Sequence, residues 1–158
     1  MRAPGAISLG AFEERASAPE LVGYAIGHPW RGDPPGLWRE VPAAPEARGG
    51  PAGSSGATYA LLHDLCVSPA ARGSGLGKAL GSAWLRAARE ARHSRFQLVA
   101  VSRREGFWER LGFRASADDG LQGRVGACHG EGATAMHATW EEVEPAVRSA
   151  IPTDGSLA

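Results

Sequence analysis

The sequence predicts an α/β protein in which helices pack against a mixed sheet, and three observations carry that expectation. Thr58–Val67 alternates as a strand does. Arg72-Gly73-Ser74-Gly75-Leu76-Gly77-Lys78 then makes a glycine turn, beyond which Leu76, Ala79, Leu80, Ala83, Trp84, Ala87, Ala88 and Ala91 recur at steps of three and four, the apolar stripe of a helix running to about Arg92. Phe96–Val101 is a second apolar run of strand length. Strand, turn, helix and strand in succession imply two parallel strands joined by a right-handed crossover.

The remaining elements follow in chain order. Ala6–Glu13 and Leu21–His28 read as a hairpin whose loop is Arg15–Glu20. Residues 29–57 are crowded with Pro, Gly and Ser, including Pro34-Pro35 and Gly49-Gly50, so a long irregular loop is expected, with Trp30 and Trp38 packing its first half down. On Thr58–Val67 an unbroken alternation places Tyr59, Leu61, His63, Leu65 and Val67 on one face and Asp64 on the other. Arg86, Arg89 and Arg92 fall on the outer, later part of the helix, where cations suit its C-terminus. Gly106–Leu111 reads as a short helix closed by Gly112, and strands are expected at Gln122–Cys128 and Ala133–Trp140. One domain over residues 1–140 results, followed by a loosely ordered tail at 141–158 containing Pro145, Pro152 and Gly155.

Bulk properties narrow the partners. With 158 residues one core is the default, and 17 basic against 17 acidic side chains give no global attraction to nucleic acid or to an acidic membrane. Any anion site must be local. Two cysteines and no charged-then-apolar leader point to a reducing cytoplasm, and apolar runs such as Thr58–Leu62 fall well short of the roughly 20 residues that cross a bilayer.

The glycine turn is the one segment whose chemistry is legible locally. Glycines at 73, 75 and 77 allow left-handed backbone and close approach, so several amides can converge where a helix begins. A phosphate suits that place. The dinucleotide pattern GxGxxG fails at Lys78 or Leu80, and the nucleotide P-loop fails at Arg72 and Ala79. What stands is RxxGxG after Val67-Ser68-Pro69.

Leu62-His63-Asp64-Leu65-Cys66-Val67-Ser68-Pro69-Ala70-Ala71-Arg72-Gly73-Ser74-Gly75-Leu76-Gly77 resembles the acetyl-CoA-binding motif of the GNAT acyltransferase superfamily, and Phe107-Trp108-Glu109-Arg110-Leu111-Gly112-Phe113 resembles its second signature. The resemblance spans roughly Leu21 to Trp140 and is nearest to bacterial-type relatives of aralkylamine N-acetyltransferase. It implies a mostly antiparallel mixed sheet around a strand, glycine turn, helix, strand and helix core. It also implies that acetyl-CoA is the cosubstrate, with no metal. Its pyrophosphate would lie on Arg72, Gly73, Ser74, Gly75, Leu76, Gly77 and Lys78, its pantetheine arm along the main chain of Leu65, Cys66 and Val67, and its thioester end near Phe107 and Trp108. A bulge in the strand would expose an amide near Leu65–Val67 to the thioester oxygen.

Acetyl transfer to an alkylamine requires loss of a proton from a group with pKa near 10. The resemblance makes His63 the catalytic base. Trp108 stands where many relatives have the tyrosine that protonates the leaving thiolate, and Leu61 stands where the aralkylamine enzymes have a second histidine, so a two-histidine relay is not expected. Cys66 as an acyl-carrying nucleophile and Cys128 with His129 as metal ligands both lack partners at the needed spacing. Relatives begin with a strand and two helices that have no counterpart before Leu21, so the expectation is a domain shortened at its front, a second copy or another protein that supplies that wall, or an unusually open acceptor site. Tyr24, His28, Trp30 and Trp38 could form what remains of it. The expected function is acetyl-CoA-dependent N-acetyl transfer to a primary amine by direct attack on the thioester. A small amine, aromatic ones included, is favoured as acceptor, and a protein N-terminus or lysine shares the same cofactor site. The competing expectation is a degenerate domain that binds CoA or a partner without catalysis.

Overall fold

A computed structural model describes residues 5–34 and 58–150. Trp38, most of the expected 29–57 loop and the end of the tail from residue 151 lie outside the described residues. Six strands form one sheet in the order β1-β2-β3-β4-β6-β5, from β1 (Ile7–Glu13), β2 (Glu20–Arg31), β3 (Thr58–Val67), β4 (Arg95–Ala100), β5 (Arg114–Ala115) and β6 (Thr134–Thr139). Every neighbouring pair is antiparallel except β3 with β4. The expected mixed, mostly antiparallel sheet is therefore present. The helices are α1 (Leu76–Glu90), α2 (Glu105–Glu109), α3 (Asp119–His129) and α4 (Trp140–Ser149).

α1 owes its position to the stripe that predicts it. Leu80, Trp84, Leu85 and Ala88 are buried against Ala25 of β2, Ala60 and Leu62 of β3, and Phe96 and Leu98 of β4. Trp84 fits because Gly27 has no side chain: a Cβ there would collide with the Leu61 carbonyl and the Trp84 ring. The crossover from β3 through α1 to β4 thus closes over one face of the sheet.

Two expectations are corrected. Gln122–Cys128 is helical, not a strand. Asp118 caps α3 by accepting the Leu121 N–H at 3.0 Å, and Leu121 and Val125, four residues apart, pack on Ala135 of β6. Glycines at 120, 123 and 126 had left the sequence without a helical stripe. The tail is ordered at least through Ser149, as α4. Thr139 and Glu142 form a capping box, with Thr139 N–H donating to Glu142 Oε2 at 2.8 Å, and Val143 and Val147 bury against the core. Pro145 sits inside that helix, which is why its sequence reads as a break.

Candidate active site

β3 and β4 pair only at Ala60 with Phe96 and Leu61 with Gln97. Beyond those pairs the two strands part, and a cleft of about 830 Å³ opens between them. Its far end reaches the glycine turn. Its walls include Leu65 and Val67 from β3, Leu98 and Val99 from β4, and Phe107, Trp108 and Arg110 from α2 and the turn after it.

The register between β2 and β3 explains the cleft's chemistry. Ile26 faces Asp64 and Gly27 faces Leu62, so His63 is an extra residue, a β-bulge in β3. The unbroken alternation expected from sequence is wrong here, because the bulge turns the strand halfway. Leu65 and Val67 face α1 with Leu62, touching the space beside Gly81 and Gly77. His63 and Asp64 face the other side, where they meet His28 and Tyr24. Ser68 N–H donates to Val22 O at 2.8 Å, and in an antiparallel ladder such contacts alternate. Cys66 therefore turns its main chain toward β2, while Leu65 and Val67 direct theirs into the cleft. Cys66 adds an exposed thiol to the lining.

At the turn, Gly73 and Gly75 have φ of +81° and +88°, with nothing within 4 Å of where a Cβ would stand. That open space is what a bound group approaching the backbone needs. The first bond inside α1 runs from Ala79 N–H to Gly75 O, so the Gly77 and Lys78 amides precede it and have no partner within the helix. Arg72, Gly73, Gly75, Gly77 and Lys78 line the cleft. Ser74 and Leu76 do not: the Ser74 hydroxyl donates to Ala71 O at 2.7 Å and accepts from Leu76 N–H at 3.3 Å, holding the turn itself together. The Lys78 ammonium donates to Ser149 Oγ of α4 at 3.3 Å. Trp108, 8% exposed, is wedged edge-on between Phe107 and Phe113, as befits a wall.

His63 is half-buried, and three elements bear on it. Burial first, then the nearby charges of His28 and His129, lower its pKa below the usual histidine value, while Asp64 works in the opposite direction. The His28 ring lies 5.8 Å from that of His63, held by Nδ1 donating to Pro29 O at 3.1 Å and by an edge contact with Trp30. His129 reaches the cleft from the end of α3. Neither histidine is legible as a neighbour of His63, since the register at the β-bulge and a helix whose sequence lacks an apolar stripe decide both placements. No three His, Cys, Asp or Glu side chains among the described residues gather as a metal site.

A family model described as "Acetyltransferase (GNAT) domain" matches residues 19–115, well over half of the chain. The chain belongs to the GNAT acetyltransferase family. Solved structures agree in fold at low identity. A GNAT-family protein from Desulfovibrio desulfuricans is 20% identical, with 85% of this chain and 69% of that chain covered and a TM-score of 0.54. The KacTA–DNA complex contains a chain 13% identical, covering 94% and 76% with a TM-score of 0.59. AtaTR bound with AcCoA contains one 14% identical, covering 87% and 72% with a TM-score of 0.54. No curated protein sequence matches the chain. Members of this family use acetyl-CoA, and none of the helices among the described residues is long and apolar enough to cross a membrane.

Proposed function

We propose that the protein is an acetyl-CoA-dependent N-acetyltransferase that acts on a small primary amine by direct attack on the thioester. One observation carries the proposal: a single cleft joins a glycine turn rich in unpaired amides, the unpaired edge of β3, and a partly buried histidine raised on a bulge. The cosubstrate supplies an activated acetyl thioester. The turn from Arg72 to Lys78 receives its pyrophosphate, with Ser74 shaping the turn from behind, and the main chain of Leu65 and Val67 pairs with its pantetheine arm as an added strand would. Phe107 and Trp108 wall the thioester end.

His63 takes the proton that the attacking amine must lose. Its lowered pKa keeps the imidazole neutral at pH 7, ready to accept. A simple alkylamine is protonated by about 3 pH units at neutrality, so without such a base roughly 4 kcal/mol stands between the bound cation and the nucleophile. Trp108 offers only an indole N–H, a poor acid, and a thiol of pKa near 8.5 leaves tolerably without one.

A second reading concerns the partner. Phe12, Leu21 and Ile26 are 64%, 50% and 40% exposed. Leu21 and the Phe12 ring stand beside Gly10, across from Tyr24, and Ile26 lies in line with Tyr24. An apolar surface there favours a second copy or another protein covering that half of the sheet, in an active enzyme or in a non-catalytic domain. Acetyl-CoA consumption by the purified chain against a panel of amines decides between them. Amine-dependent release of free CoA is expected, and tight cofactor binding with no turnover on any amine would establish the non-catalytic domain.

A further inference from the structure

The bulge does more than lift His63: it also brings Asp64 to the same face, away from α1. Asp64 lines the cleft, and the Tyr24 hydroxyl donates to its Oδ2 at 2.7 Å. That hydrogen bond is the main reason the Tyr24 phenol is pushed up to about 12, so the phenol stays a donor across the working pH range. No lysine or arginine among the described residues forms an ion pair with Asp64. A carboxylate has about four acceptor positions, and Tyr24 takes one. Ile26 is the cross-strand partner of Asp64 and leaves apolar surface beside it.

From this arrangement we infer that Asp64, oriented by Tyr24, is the residue that determines acceptor specificity: it binds the amine as an ammonium ion next to His63, and thereby selects aliphatic primary amines over aryl amines. The inference rests on the acetyl-transfer reading above and names its substrate class. An alkylamine of pKa near 10 is about a thousand to one cation at pH 7. A site with only a neutral imidazole would have to capture the rare neutral form. The carboxylate captures the abundant one, and the proton passes to His63 after binding. An aryl amine arrives neutral and gains nothing from the charge. Its carbon skeleton and that of an alkylamine can both rest on Ile26, so the charge alone separates them.

Calorimetry on the protein saturated with CoA tests this without requiring turnover, using phenylethylamine and aniline as probes. Wild type is expected to bind phenylethylamine at least tenfold more tightly than aniline, with an affinity that falls as salt rises. Asp64→Asn should weaken phenylethylamine about tenfold, the scale of one charge pair, and change aniline less than twofold. Tyr24→Phe, which keeps the ring, should weaken phenylethylamine about threefold and covers the case in which Asp64→Asn does not fold. In turnover, Asp64→Asn should raise KM for phenylethylamine with kcat nearly unchanged. Equal wild-type affinity for the two probes, or equal losses on both in the variants, overturns the inference. Asp64-dependent amine binding without acetyl transfer would sustain it and sink the catalytic reading, whereas transfer with KM unmoved in Asp64→Asn would do the reverse.

Discussion

The two faces of the β2–β3 half of the sheet meet one cleft with different materials. On the α1 side the chain presents backbone: the amides around Gly73, Gly75 and Gly77, and the β3 edge at Leu65 and Val67, which β4 does not pair and where Arg72 Nε donates to Val67 O at 3.4 Å. On the opposite side it presents titratable side chains, Tyr24, His28, His63 and Asp64, drawn from two strands. Backbone sites suit a ligand of fixed shape and charge, because amides cannot be tuned. Side-chain sites suit chemistry and choice. Under the proposed function the cofactor takes the first face and the acceptor the second, and each can be broken separately.

The largest effect is expected on the side-chain face. His63→Gln keeps size and hydrogen bonding but removes basicity, so turnover of an alkylamine should fall about 10²- to 10⁴-fold with acetyl-CoA affinity nearly intact. Aryl amines, which arrive neutral, should lose far less. An equal loss on both amine types would show that His63 orders the site without moving a proton. Because burial and the neighbouring histidines lower its pKa, protonation of His63 occurs only below the ordinary value of about 6.5. The acidic limb of the wild-type kcat/KM profile should therefore lie below pH 6.5 and vanish in His63→Gln. A limb above pH 7 would contradict the sign of that shift.

A smaller effect tests the packing that keeps the faces apart. Gly27→Ala forces a methyl group into the Leu61 carbonyl and the Trp84 ring, and should cost about 2–3 kcal/mol of stability, read as a drop in the denaturant midpoint at unchanged m-value. A neutral outcome would mean that α1 can shift off β2. Smallest of all, Trp108→Phe should lower kcat by less than about tenfold, since Trp108 is wedged between Phe107 and Phe113 as a wall. A thousandfold loss with cofactor affinity intact would make its indole the acid.

How much of this could be read in advance follows the same division. The backbone face is local in sequence: strand, glycine turn and helix are contiguous, so β3, α1 and the turn were legible from periodicity and from three glycines. The side-chain face is assembled across the sheet. Its key pair, Tyr24 with Asp64, is separated by forty positions and depends on a one-residue slip at His63: the resemblance implies a bulge in this strand, but no pattern in Thr58–Val67 places it. His129 was hidden by a glycine-rich helix with no apolar stripe, and α4 by Pro145. Ser74 and Leu76 belonged to the motif as written, yet the hydroxyl of Ser74 occupies the Leu76 amide, an internal hydrogen bond that only coordinates disclose.

The division of labour is tested most directly by acetyl-CoA titration calorimetry on wild type, Gly75→Val and His63→Gln. Gly75 has φ of +88° and empty space where a side chain would stand. A β-branched residue there both strains the turn and fills the cradle, each of which costs on the order of 1–3 kcal/mol. The account predicts that Gly75→Val loses about a hundredfold in acetyl-CoA affinity while His63→Gln stays within about threefold of wild type. Wild-type affinity in Gly75→Val, or a large loss in His63→Gln with the fold intact, would contradict it.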